Sequence, residues 1–209
     1  DIAALCEAAG ADSLEVMHGM GLDSRIGNRF LAPGPGWGGS CFPKDTRALA
    51  SISAGFGIPI PLIDAAIASN EKAHKRVVDR VMQELGGSLV GKTVAVLGLT
   101  FKANTDDTRQ SPAIAVIERL VGRGAKVVAF DPIVSTYSLA GLNVVDSPKT
   151  AASEADALVV LTEWGEFGKL NPPDLLAVMR GTCVVDTRNI LNKTTWQAAG
   201  AIFPDLKNP

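Results

Sequence analysis

From Lys92 onward, short apolar runs alternate with segments that open like helices, and this alternation leaves very few folds available. Thr93-Val-Ala-Val-Leu-Gly98 is apolar on both faces of an extended chain, the signature of a strand buried inside a parallel sheet. Lys126-Val-Val-Ala-Phe-Asp131, Asn143 to Val145, Ala157 to Leu161 and Thr182-Cys-Val-Val-Asp186 predict four more strands. Between them, Ser111-Pro112 and Asn171-Pro172 each place a capping side chain before a proline suited to the first helical position. The alternation predicts an α/β domain, a doubly wound parallel sheet of right-handed connections, over residues 92–209. Ligands of such sheets sit outside the carboxyl ends of the strands.

Residues 1–85 have a different grain and predict helices. Ile2, Leu5 and Cys6 share one helical face, with Gly10 placed to end that helix. Asp12 followed by Glu15 resembles a capping box for a second short helix. A loop from about Gly21 to Lys44 is rich in glycine and proline and has no period. Asp45 to Ala54 predicts a third helix. Pro61 to Leu85 predicts a longer one, with Ile63, Ile67, Val77, Val81 and Leu85 on one face and a Glu71–Lys75 pair on the other. His74 reads as a solvated residue of its charged side. Gly86, Gly87, Ser88 and Gly91 make 86–91 a linker between the two parts.

The balance of 22 acidic against 20 basic residues gives a net charge of -2, which argues against a nucleic-acid partner or an anionic membrane surface. Aromatics at 5% are too few for a base-stacking platform. Three cysteines among 209 residues exclude a disulfide scaffold and point to a reducing, cytoplasmic setting. The most apolar stretch, Ile58 to Ile67, is broken by Pro59, Pro61 and Asp64, so no membrane span is expected. The chain has no initiator Met and opens inside a helix-like run, as a piece of a longer protein would.

Two segments carry chemistry. The loop after the first strand, Gly98-Leu-Thr-Phe-Lys102 through Arg109 to Ser111, lacks the dinucleotide fingerprint but sets two cations before a helix N-terminus, which suits a phosphate. The alternative is that Lys102 and Arg109 only pair with Asp106 and Asp107. Arg188, past the fifth strand, lies at the same edge. The second segment is Gly34-Pro-Gly-Trp-Gly-Gly-Ser-Cys41-Phe-Pro-Lys-Asp45. A cysteine entering a helix beside Lys44 is placed for thiolate chemistry, and Asp45 stands four residues on to handle a proton. Cys6 and Cys183 sit in apolar patterns and read as buried small hydrophobes. Neither His18 nor His74 is near Cys41 in sequence, which weighs against a cysteine hydrolase, and no Cys or His pair has metal-ligand spacing.

These motifs resemble the UDP-glucose/GDP-mannose dehydrogenase family. Gly36-Trp-Gly-Gly-Ser-Cys41-Phe-Pro-Lys-Asp45, preceded by Asp23-Ser-Arg25-Ile-Gly-Asn-Arg-Phe30, is similar to its catalytic-cysteine loop. The likeness continues in order through Gly98 to Lys102, Asp106 to Arg109, Phe130-Asp-Pro132, Thr162 to Phe167 and Asp186-Thr-Arg188-Asn189. It implies the end of a helical central domain, used for dimerisation, followed by a Rossmann-like nucleotide-sugar domain, with the NAD-binding domain outside this chain.

The resemblance also implies roles. Cys41 matches the nucleophile of a two-step, NAD-dependent oxidation of a sugar C6 alcohol, and Asp45 matches the carboxylate that handles water and protons. Phe30, Leu31, Ala32, Pro33, Gly34, Pro35, Gly36, Trp37 and Gly38 match substrate-contacting positions, as do Phe101, Lys102 and Arg188. Arg25 matches an arginine that reaches a neighbouring subunit's substrate, which implies a homodimer or larger homo-oligomer. Cys41, Phe42, Pro43, Lys44 and Arg109 match positions toward the NAD cofactor. Where several relatives carry Lys, this chain has Ala32, so one phosphate contact is lost or made by backbone. The branch motifs favour UDP-glucose as the nucleotide sugar, with GDP-mannose next; a non-catalytic binding and dimerisation module is the alternative from another class.

Overall fold

The structure is a computed structural model that describes residues 1–204. The last five residues of the expected sheet domain lie outside the described residues. The helical part comprises α1 (Ile2–Ala9), α2 (Ser13–Gly21), α3 (Phe42–Gly55) and α4 (Pro61–Glu84). The α/β part follows as β1 (Thr93–Leu97), α5 (Pro112–Gly122), β2 (Lys126–Phe130), β3 (Leu142–Val145), α6 (Pro148–Ala152), β4 (Ala157–Val160), a 3₁₀ turn (Phe167–Lys169), α7 (Pro172–Leu176), β5 (Cys183–Asp186) and α8 (Lys193–Ala198).

All four strand pairings are parallel, in the order β3-β2-β1-β4-β5. The chain winds outward from β1 to β3, then returns to the other side of β1, so the topological switch lies between β1 and β4. Side chains alternate between two cores, as the pleat requires. Val94, Val96, Val127 and Val159 face α4 and α5. Leu97, Leu158, Val160 and Val184 face the other layer, which supplies Ala152, Phe167, Leu175 and Trp196.

The caps follow the sequence closely. Ser111 Oγ accepts from the Ala113 amide and donates to the Leu99 carbonyl, joining the start of α5 to the loop after β1. Gly10 ends α1 in the left-handed conformation at φ 70°. Asp12 caps α2 by accepting from the Leu14 and Glu15 amides. Helix α3 starts at Phe42 rather than Asp45, because Pro43 falls in the first turn, where its missing N–H has no intrahelical acceptor to lose. In α7, Asn171 spends its side chain on Asp174 rather than on a backbone cap.

Helix α4 is about 36 Å long and belongs to both parts. Its second half is buried on the sheet through Val77, Val78 and Val81. Its first half leaves Leu62 on the surface. The predicted Glu71–Lys75 pair does not form: Lys75 pairs with Asp79, and Glu71 with Arg119 of α5. The reason is that α5 packs alongside α4 and offers Glu71 a guanidinium. In α1, only Cys6 of the expected apolar face is buried, while Ile2 and Leu5 stay exposed. Among the described residues, every exposed large apolar side chain except Val90, Ile133 and Ile202 lies in residues 2–62, so the helical part closes no core of its own. Among the described residues, no helix is long and apolar enough to cross a membrane.

His74 corrects the sequence reading most sharply. It is 5% exposed, with neither ring nitrogen hydrogen-bonded. Burial pushes its imidazole below the ordinary value, opposed by Glu71 and reinforced by Arg119. The folded chain therefore binds fewer protons here than the unfolded chain just below the ordinary histidine value, so stability falls as pH drops through that window. The urea midpoint is expected to fall between about pH 7 and about pH 5, and His74→Leu is expected to flatten that slope. An unchanged slope in the variant would assign the acid sensitivity to other groups.

Candidate functional site

At the switch point, the loops after β1 and β4 meet directly. A Cβ on Gly98, which sits at φ 97°, would come 2.4 Å from Thr162 Cβ. Thr162 Oγ1 donates to the Thr100 carbonyl at 2.7 Å, closing the two loops on each other. The buried carboxylate of Asp131, at the end of β2, organises the same edge. Its Oδ2 accepts from the Leu99 amide at 2.8 Å and the Trp164 indole at 3.2 Å, and its Oδ1 accepts from the Ile133 and Val134 amides. With this crevice filled by protein, Phe101 and Lys102 stand further out on the same edge.

Lys102 is exposed, with its Nζ 5.3 Å from the Phe101 ring centroid. Arg109 takes the structural alternative: it donates from Nε and Nη2 to Asp107, each at 2.9 Å. The two expected cations thus part company. Arg188 is largely buried at the end of β5, donating from Nε to the Leu161 carbonyl at 2.8 Å and standing 3.2 Å from Glu163. Burial lowers its pKa, while Glu163 and Asp186 oppose the shift. Glu163 also accepts from the Ala103 amide, and Asp186 accepts from the amides of Arg188, Ile190 and Leu191. Sequence reading assigned no role to Asp131 or Glu163; a carboxylate just past a buried strand was the available signal.

The glycine-rich loop is seated on this edge. A Cβ at Gly34 would lie 2.7 Å from Arg188 Nη1, one at Gly38 2.1 Å from the Gln110 carbonyl oxygen, and one at Gly39 2.9 Å from the Phe101 ring. The Gly39 amide donates to the Gln110 carbonyl at 3.4 Å, and Arg47 of α3 donates to the Gln110 side chain at 3.1 Å. These glycines serve close protein approach. Gly34 to Gly39 also happen to match the spacing of a dinucleotide fingerprint, but no strand precedes them, so the structural context of that motif is missing.

Cys41 immediately precedes α3, is exposed, and has Ser40 Oγ 3.7 Å from its sulfur. Lys44 pairs with Asp45; Asp45 raises the Lys44 pKa most, and Cys41 adds to it. Arg109 is raised chiefly by Asp107, again with a contribution from Cys41. Cys41, Lys44, Asp45 and Arg109 therefore form one electrostatic neighbourhood at the helix entrance. Phe42 is exposed and Pro43 buried. Phe30 is fully exposed at φ 65°, with Leu31 and Pro33 half-buried, Ala32 exposed and Pro35 buried. Arg25 pairs with Asp23 of its own segment, and its side chain is 87% exposed. Among the described residues, no cluster of three metal-binding side chains occurs.

The sheet topology and seated loop define the class: a helical segment docked on a Rossmann-like parallel sheet. The chain belongs to the UDP-glucose/GDP-mannose dehydrogenase family. Residues 1–72 match the family's central domain and residues 95–193 its UDP binding domain. All of the chain aligns with the UDP-glucose 6-dehydrogenase of Rhizobium meliloti (strain 1021) at 43% identity, and with UDP-glucose 6-dehydrogenase TuaD of Bacillus subtilis (strain 168) at 41%. It covers 48% and 46% of those proteins, so it spans about half the length of the curated relatives it matches. A UDP-glucose dehydrogenase structure from Pyrobaculum islandicum superposes with a TM-score of 0.82 at 31% identity, over 98% of this chain and 46% of that one.

Exposure separates the three thiols. Cys6 and Cys183 are buried, and burial pushes the Cys183 thiol up to about 12. In a native iodoacetamide time course read by mass spectrometry, Cys41 is expected to label at least about tenfold faster than either. Faster labelling of Cys183 would contradict this packing.

Proposed function

We propose that this chain supplies the nucleotide-sugar domain and the nucleophilic cysteine of an enzyme that oxidises the C6 alcohol of UDP-glucose to the carboxylate of UDP-glucuronate. The observation that carries the reading is the seating of the Cys41 loop on Phe101 and Arg188, which joins the exposed thiol to the phosphate-suited edge of the sheet. The proposed division is a helical central part over 1–85, a linker over 86–91 and the sugar-nucleotide domain from 92.

In this reading Lys102 holds the diphosphate as an exposed cation, and Arg188 holds the Gly34 end of the loop against the ligand. The Phe30 to Gly38 segment wraps the substrate. The residues toward NAD are Cys41, Phe42, Pro43, Lys44 and Arg109; the uncapped start of α3 and its two flanking cations fit an anionic cofactor. NAD supplies the hydride acceptor for both oxidations. Cys41 thiolate adds to the carbonyl carbon of the C6 aldehyde, and the resulting alkoxide takes a proton as the thiohemiacetal forms. Loss of hydride and of that proton leaves a thioester. Asp45 accepts a proton from the attacking water, and cleavage of the C–S bond returns the thiol and releases the acid. Covalent capture keeps the aldehyde in one site through both steps.

The exposed apolar surface of residues 2–62 supports burial against a second copy or a further domain, with Arg25 available to a neighbouring subunit. By itself, the 209-residue chain is expected to bind substrate and to produce no NADH.

Isothermal titration is expected to show tighter binding of UDP-glucose than of GDP-mannose. Lys102→Ala should weaken UDP-glucose binding about ten- to a hundredfold, the cost of one charge-assisted contact. Preference for GDP-mannose would replace the substrate assignment. In the protein joined to its NAD-binding domain, Cys41→Ser should leave acid formation at least about a hundredfold slower, because serine is far harder to ionise than cysteine at neutral pH. Near-normal acid formation would remove Cys41 from the chemistry.

A further inference from the structure

The Cys41 loop has one more anchor, on α4. Asn70 Oδ1 accepts from the Trp37 amide at 2.8 Å, and Asn70 Nδ2 donates to the Trp37 carbonyl at 3.1 Å. One side chain thus holds both backbone polar groups of one loop residue. The approach is close enough to exclude a side chain beside it: a Cβ on Gly36, which sits at φ 137°, would lie 2.6 Å from Asn70 Oδ1 and 2.7 Å from His74 Nε2. Asn70 and His74 are one turn apart, so together they form a seat for Gly36 on one face of α4. From Trp37 the contact continues to the thiol. The Trp37 ring packs edge-on to the ring of Phe42, with centroids 4.8 Å apart at 78°, and Phe42 directly follows Cys41.

No feature of the sequence singles out Asn70 for this role. Yet α4 is the helix whose other half is buried on the sheet. A side chain that ties the loop to α4 therefore fixes Cys41 relative to the sheet edge that carries Lys102 and Arg188. We propose that Asn70 is a positioning residue for the Cys41 nucleophile, acting through the Trp37 peptide and the Trp37–Phe42 ring contact. This role rests on the reading of Cys41 as the nucleophile of a UDP-sugar site. It extends that reading to a residue whose hydrogen bonds go to the Trp37 backbone rather than to the thiol.

The test uses the full chain, with wild type, Asn70→Leu and Asn70→Asp compared by two measurements. The first is amide hydrogen exchange across residues 35–42, which needs no ligand. The second is the UDP-glucose concentration that half-protects Cys41 from iodoacetamide. Asn70→Leu removes both hydrogen bonds and should speed exchange in that segment about tenfold, leaving β1 and β4 unchanged. It should also raise the half-protecting concentration at least about tenfold. Asn70→Asp keeps the acceptor for the Trp37 amide but loses the donor to its carbonyl, so it should fall between the other two. If Asn70→Leu also loses exchange protection in the sheet, Asn70→Asp alone decides the matter. Unchanged exchange at 35–42 overturns the proposal, as does faster exchange with wild-type protection of Cys41. Faster exchange in a chain whose Cys41 is never protected by UDP-glucose, wild type included, keeps the clamp and overturns the substrate reading instead.

Discussion

The candidate site depends on one constraint: the loop that carries Cys41 has no core of its own, so everything that holds it comes from elsewhere. Between Gly34 and Ser40 the chain offers four glycines, one proline and one tryptophan. Too little apolar surface is present there to offset the entropy of ordering that backbone. Order comes instead from contacts to three separate places: Asn70 and His74 on α4, Gln110 before α5, and Phe101 with Arg188 at the carboxyl edge of the sheet. Each contact needs the backbone to come closer than a Cβ permits, which is the physical reason for the density of glycine. Alanine at Gly38 would drive a methyl carbon onto the Gln110 carbonyl oxygen, and alanine at Gly39 would press on the Phe101 ring while forcing a left-handed φ on a residue that resists it.

Helix α4 turns those local contacts into a fixed relation between the two parts of the molecule. Val77, Val78 and Val81 are buried against the sheet, so α4 cannot tilt without opening that core. Its exposed N-terminal half nonetheless presents Asn70 to the loop. On the other side, Ser111 joins the start of α5 to the loop after β1, and Asp131 joins that loop to the ends of β2 and β4. The places that hold the cysteine loop are therefore themselves tied to one another through the sheet edge and its two helices. The charged groups obey the same arrangement. Arg188 keeps its charge in a largely buried place because Glu163 and Asp186 surround it, whereas Lys102 stays at the surface beside the Phe101 ring.

The sequence alone determined the parallel sheet, the Asp12 and Ser111 caps and the separation of the thiols. Fully apolar runs of four or five residues, alternating with helix starts, favour strands buried on both faces, and a serine before a proline favours a helix start. Cys183 inside such a run had to be buried, and Cys41 among glycines had to lie outside any core. What the sequence left undecided is decided by packing between distant segments. His74 has charged neighbours in sequence yet is buried, because α5 and the Gly36 turn close over it. Glu71 abandons Lys75 for Arg119, which is 48 residues away. Arg109 and Lys102 look equivalent in sequence, but the turn at Asp107 captures only Arg109. Asn70 becomes an anchor only once the loop is brought against it. Local pattern fixes the elements because backbone hydrogen bonding and side-chain period act over a few residues. The site arises only in the tertiary structure, because its contacts join residues 33 to 154 positions apart along the chain and no period in the sequence records them.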